Sequence, residues 1–382
     1  MRNFIFILLS GVVFTACSAG NDIFEDIGTN MASPTGLAVD STNRRLYVTN
    51  ANSTVLYDWR QGSFQVLDIT NPQAPTLVGT AATLSFSGEI HLDTPNGRAY
   101  VTNRFSDGVE TTSDRLLTIV TDETLTDFLS VTETDMGLNP FAVACCAATT
   151  NLLVSTSQGV LTLADISTAE PSQREVDLLL SLSTGSSLTR ADIRDIVIIG
   201  SQAFLSRSQG GILVVNINEL GVDGVNPVDY FISDVRTPRG MATDGTSLYI
   251  TDEDTVDGTF TSRLLVLDVS SLTPLTDNTD IQVVDKDDDN LAIDSITVDG
   301  NPQEVVIAGS QAFVTSAQDD TVSVIDLTTN TAGTPIVVGD EPFGMAIDSP
   351  GDVPTTLYVG NVEGNSISII DIPTLTLVGT YP

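Results

Sequence analysis

The sequence predicts an all-β fold, a seven-bladed β-propeller with four antiparallel strands per blade. Three observations predict it. Short β-branched and apolar motifs recur in a fixed order, at spacings of 40 to 64 residues along the 382-residue chain. Each motif is bounded by Gly, Asn, Asp or Pro, the residues of turns. After the N-terminal leader no segment carries a sustained apolar period of 3.6, so helices are not expected. Repetition at such a period marks stacked units, none of which can bury both its faces alone.

The first strand of each unit starts with "PTGLAVD" at Pro34, "SGEIHLD" at Ser87, "PFAVACC" at Pro140, "IRDIVII" at Ile193, "PRGMATD" at Pro238, "PQEVVIA" at Pro302 and "PFGMAID" at Pro342. The second strand reads "LYVTN" at Leu46 and "AYVTN" at Ala99, with later copies at Leu152, Ala203, Leu248, Ala312 and Leu357. Alternation puts the Leu, Val and Asn of "LYVTN" on one face and the Tyr and Thr on the other, and both faces pack against neighbouring blades. The terminal Asn or Asp is expected to cap the turn that follows. The third strand reads "FQVLDI" at Phe64, with copies at Leu116, Leu161, Ile212, Leu264, Val322 and Ile367. Its Asp recurs at 68, 165, 268, 326 and 371, with Asn216 in blade four, and a position repeated around a ring is structural. A weaker fourth strand follows, as in "PTLVGT" from Pro75, "TPIVVG" from Thr334 and "LTLVGT" from Leu375. If the chain ends on that strand in blade seven, each blade comes from one contiguous segment and the ring closes without strand exchange.

The units resemble the YVTN-repeat β-propellers, named for the string at Tyr47–Asn50 and Tyr100–Asn103. The resemblance runs from about Pro34 to the C-terminus. It implies the fold. It also implies kinship with surface-layer or periplasmic proteins and, more distantly, with lactonase-like propellers.

The balance of Lys+Arg 15 against Asp+Glu 50 gives a formal charge of −35. A surface this acidic repels nucleic acid and anionic headgroups, so no nucleic-acid partner is expected. At the N-terminus, Arg2 precedes the apolar run Phe4–Phe14, which is too short to span a bilayer. Phe14-Thr15-Ala16-Cys17 then resembles the bacterial lipobox, with Phe14 where that family usually has Leu. The resemblance implies a signal peptide over residues 1–16, lipidation at Cys17, a tether over 17–33 and the propeller over 34–382. The alternative is an ordinary secretory signal with a stray cysteine. With Ser18 after the cysteine, the implied destination is the outer membrane, facing the periplasm or the cell surface. Membrane contact would come through the lipid anchor only.

Chemistry is expected where the loops before first strands and after second strands open on one face. Those after the second strand are long in blade one (51–63), blade two (104–115) and blade five (253–263). Tyr57, Trp59 and Arg60 in the first form a candidate recognition patch; Trp59 equally suits covering a blade edge. The third position of the first strand reads Gly36, Glu89, Ala142, Asp195, Gly240, Glu304 and Gly344 around the ring. First strands line the channel, so Glu89, Asp195 and Glu304 are candidate ligands of calcium or magnesium. Without a cation, three like charges should raise at least one pKa. Arg104, Arg194 and Arg239 lie near in register and offer the alternative of paired ions in a wet channel. Asp285, Asp287 and Asp289 alternate like the start of a calcium loop, but Ile296 holds the place of the closing Glu. A solvated loop suits that run, and the acidic run 252–258, better. Cys145 and Cys146 are candidates for a vicinal disulfide or for two buried thiols. His91 is the sole histidine, so no multi-histidine metal site can form, and no Cys-x-x-Cys-His is present.

Two functional readings follow. One is a non-catalytic binding or scaffold protein whose partner is a protein or cell-envelope component. The other is a divalent-metal-dependent hydrolase of lactone type at the channel mouth.

Overall fold

A computed structural model describes residues 31–382 apart from 52–61, 84–86, 105–113, 138, 146–150, 157–158, 168–170, 179–181, 183–184, 186, 257–258, 276–279 and 288. Seven sheets of antiparallel strands follow one another along the chain. Blade one is Pro34–Asp40, Arg45–Asn50, Ser63–Asp68 and Thr76–Ala82, paired in that order. The first strands start close to the predicted sites, but they are cut to Val143–Cys145 in blade three and Met241–Thr243 in blade five. In blade six the fourth strand is split into Thr331–Ala332 and Ile336–Val337.

The seven-bladed expectation holds in the packing. Seven apolar clusters fill the seven junctions between blades. The alternation of the second strand decides which junction each side chain enters. Leu46 and Val48 join Tyr358, Ile367 and Ile369 of blade seven. Tyr47 turns the other way, towards Ala99, Val101 and Leu117 of blade two. Burying each such aliphatic or aromatic side chain contributes about 1.5–3 kcal/mol, so the ring is held chiefly by these junctions.

Blade seven has its four strands in Pro342–Asp348, Thr356–Asn361, Ser366–Asp371 and Thr376–Tyr381, so among the described residues the ring closes without strand exchange. Contiguity fails at one place. Between the third and fourth strands of blade five, Gln282–Asp285 leaves its own blade and pairs in parallel with the outer strand of blade four, Val228–Ser233. Blade four thereby gains a fifth strand and blade five is tied to it.

Two expectations about loops are corrected. The long loop of blade five is a hairpin: Ser247–Val256 and Thr259–Asp268 stay paired through Val256↔Thr259. Among the described residues, the Asn or Asp that ends the second strand is seen in a role other than capping the following turn. It holds the chain approaching the first strand of its own blade. Asn50 Oδ1 accepts from the Ala32 amide, Asn361 Oδ1 from Gly339 and Asp252 Oδ1 from Thr237. The third-strand Asp behaves as expected: Asp68, Asp165, Asp268 and Asp326 each accept from the amide two residues on, as does Asn216.

Candidate functional site at the channel mouth

The first strands enter the ring through a bulge. In blades one, two, four, six and seven their register slips between the first position and the third or fourth. A bulge breaks strict alternation, so adjacent side chains can reach one side. Positions two and three of these strands therefore both face the channel. There they line a cavity of about 690 Å³.

All three predicted acids and all three predicted channel arginines border this one cavity: Glu89, Asp195 and Glu304 with Arg104, Arg194 and Arg239. Among the described residues no group of three or more His, Cys, Asp or Glu side chains is placed to hold a metal ion. The physical reason is that each carboxyl is turned to the amide of the next blade's first strand. Glu89 Oε2 accepts from Val143 N at 3.0 Å and Glu304 Oε2 from Met345 N at 2.7 Å. Asp195 Oδ2 accepts from Met241 N, and its Oδ1 from Ile196 N.

Burial still dominates their titration. It pushes Glu89 well above the usual carboxyl range, helped by the charges of Asp195 and Glu304. Asp195 is raised to about 7 by burial, against the pull of the Met241 and Ile196 amides. Glu304 is raised to about 8 by burial and then by Asp195, with the Met345 amide opposing. The expectation that like charges would raise a pKa is thus met in direction, but desolvation is the larger cause.

The arginines differ in their company. Arg239 donates from Nη1 to Gln303 Oε1 at 2.9 Å and from Nη2 to Glu253 Oε2 at 3.1 Å, while its Nε is buried without a partner among the described residues. Arg104 lies over the Phe141 ring, 4.6 Å from the centroid, and its Nε is likewise buried and unmatched. Arg194 makes no hydrogen bond or ion pair among the described residues. Its guanidinium is destabilised by burial and then by the charge of Arg239, with Asp192 opposing.

Gln303, Phe141, Phe343 and Asp192 also line the cavity and were not singled out from the sequence. A signal for three of them was present. Position two of the first strand reads Thr35, Gly88, Phe141, Arg194, Arg239, Gln303 and Phe343, one place before the acids. All of these but Gly88 face the cavity.

Other predicted residues lie elsewhere. Tyr57, Trp59, Arg60, Cys17 and Cys146 fall outside the described residues. Cys145 is half-buried at the end of its short strand, and burial raises its thiol pKa. In the acidic loop, Asp285 Oδ1 accepts from the Asp287 amide and Asp289 Oδ2 from the Asp285 amide, as in a self-capped turn. Lys286, the only lysine, is buried and paired with Asp287 and Asp234.

At the rim, the blade-five hairpin carries Glu253 opposite Ser262. Phe260 is two residues from Ser262, hence on the same face as the carboxylate that reaches Arg239, and it is 82% exposed.

No protein family matches the chain, and no curated protein does. Solved structures resemble it in fold. Hydrazine synthase of Kuenenia stuttgartiensis superposes with a TM-score of 0.65 at 13% identity, covering 92% of this chain and 99% of that one. The Cps50 (Swd1) β-propeller domain of Myceliophteria thermophila gives 0.62 at 8% identity, over 89% and 98%. The computationally designed Ika8 protein gives 0.55 at 11% identity, over 92% and 88%. At these identities the likeness establishes the propeller and nothing finer.

Proposed function

We propose that this propeller is a non-catalytic binding protein of the YVTN-repeat type, exported and held at the outer membrane by a lipid on Cys17. It takes its ligand at the channel mouth. The partner is a cell-envelope component or protein bearing that ligand. One observation carries the reading. The cavity holds three guanidiniums, two of them with an unmatched buried Nε, while three of its four carboxyls are engaged with the next blade. Groups held rigid in this way suit recognition, and the unmatched donors point to an outside acceptor. The exposed Phe260 on the rim adds an apolar contact for whatever carries the ligand.

The rival reading, a lactone hydrolase, has one observation in its favour. Asp195 at about 7 and Glu304 at about 8 lie in the range useful for proton transfer at neutral pH.

The test is a binding screen of envelope glycans, peptides and small metabolites on the full chain, beside Ser208→Trp, which puts a bulky side chain on the cavity wall outside the apolar clusters. We expect at least one species held by the wild type and lost from the variant at an unchanged melting temperature. Equal binding to both would move the site elsewhere. Turnover of a lactone panel that is abolished by Asp195→Asn would make the protein an enzyme.

A further inference from the structure

We infer that the channel-mouth cavity recognises a small organic monocarboxylate with an apolar body, its carboxylate bound between Arg104 and Arg194. The inference rests on the cavity being the ligand site and adds the chemical class of the ligand.

Charge is the first argument. The chain has Lys+Arg 15 against Asp+Glu 50, yet three of its arginines line one cavity. Guanidiniums gathered in a partly desolvated space repel one another, and the charge of Arg239 does destabilise that of Arg194. The fold cancels part of this. Arg239 is matched by Glu253, Asp114 and Asp192 act on Arg104, and Asp192 acts on Arg194. Arg194 still makes no hydrogen bond among the described residues, and the Nε of Arg104 stays buried and unmatched. A carboxylate lying between the two supplies an acceptor to each. A guanidinium fork matches a carboxylate in shape as well as in sign.

The walls supply the second argument. Phe141, Phe343 and Leu37 border the same space as the arginines. The Phe141 ring already backs Arg104, so a carboxylate there lies beside an aromatic surface. A compact, fully hydrated anion such as phosphate would leave these walls bare. A carboxylate on an aliphatic or aromatic body covers them. The volume, about 690 Å³, is ample for such a molecule.

The experiment is calorimetric titration of the full chain at pH 6 and low salt. The probes are benzoate and hexanoate, their neutral amides, and inorganic phosphate. Wild type is compared with Arg194→Gln, a change that removes no internal hydrogen bond among the described residues, and with Arg194→Lys. We expect the acids to bind at least about tenfold more tightly than the amides, and Arg194→Gln to lose about tenfold, with partial recovery in Arg194→Lys. Amides binding as well as acids, phosphate binding best, or acids binding undiminished to Arg194→Gln would each overturn the inference. So would silence from every probe. If the Ser208→Trp screen still finds a cavity ligand, only the ligand class is wrong. If that screen also fails, the binding reading falls with it.

Discussion

Glu304 does two things with one carboxyl. It holds the Met345 amide across a blade junction, and it faces the cavity with a pKa raised from 4.5 to about 8. The second property has a cost. Between its unfolded and folded values the group binds more protons folded than unfolded, so its contribution to stability falls as pH rises across that interval. It is fully present below about pH 4.5 and gone above about pH 8. Glu304→Gln keeps an oxygen for the Met345 amide and removes the titration. In urea unfolding at a series of pH values, the variant should gain on wild type steadily from pH 4.5 to 8 and then level off. The gain corresponds to about 1.4 kcal/mol per unit of pKa difference. A stability difference that ignores pH would show that the Glu304 pKa is the same in the folded and unfolded chain.

At the scale of elements, the junctions carry a polar clasp as well as apolar clusters. The hydroxyl in the fourth place of the second-strand motif donates to a carbonyl of the next blade. Thr49 reaches Gly88 O, Thr102 Phe141 O, Ser155 Ile193 O, Ser206 Arg239 O, Thr251 Gln303 O and Thr315 Phe343 O. Thr315 Oγ1 also accepts from the Glu304 amide at 3.1 Å. Thr315→Val keeps the shape and leaves both groups without this partner, so it should cost about 1–3 kcal/mol in chemical denaturation. Thr315→Ser should restore most of that, since blades three and four already use serine. Equal losses in both variants would point to the methyl group rather than the hydroxyl. The clasp also shows what the sequence could and could not tell. The Thr of "YVTN" was placed on the correct face by simple alternation, because second strands are regular. The acids were placed at the channel for the same reason, from first-strand position three. Their partners were not legible. A bulge that lets Arg194 and Asp195 both reach the cavity leaves no mark in a period-two pattern, and an amide 46 residues away at Met241 leaves none either. The blade-five hairpin was read as a loop because the stretch 253–263 is mostly polar and shows no strand alternation.

At the scale of the whole ring, seven is an odd number, and this decides how it closes. Acids at position three alternate with small residues, so Gly344 of blade seven and Gly36 of blade one stand side by side without an acid between them. The seventh junction lacks the hydroxyl clasp too, since Gly360 takes its place. Polar links at this junction include the Ser33 amide to Asn365 Oδ1, the Ser349 amide to Ser41 Oγ and Arg44 to the buried Asp348. The backbones approach closely here, as they also do at Gly36 against Gly88 O and at Gly240 against Gln303 O. A Cβ on Gly344 would lie 2.3 Å from Thr35 O, and one on Gly360 2.9 Å from Pro34 O and from Leu37 Cδ1. With no exchanged strand among the described residues to bind the two ends, that close contact adds to the apolar cluster in completing the ring. Gly360→Ala, whose backbone is not left-handed, should therefore act by steric spreading alone and cost about 1–3 kcal/mol. Gly333→Ala is the control. Its Cβ would meet Val324 O at an ordinary 3.5 Å on an exposed turn, and stiffening the unfolded chain should leave it neutral or slightly stabilised. Urea midpoints of the two variants decide the matter. A clear loss confined to Gly360→Ala means the ring is closed by backbone contact between blades seven and one. Equal midpoints mean that the junction has slack and that the apolar cluster around Tyr358 and Leu46 closes the ring unaided.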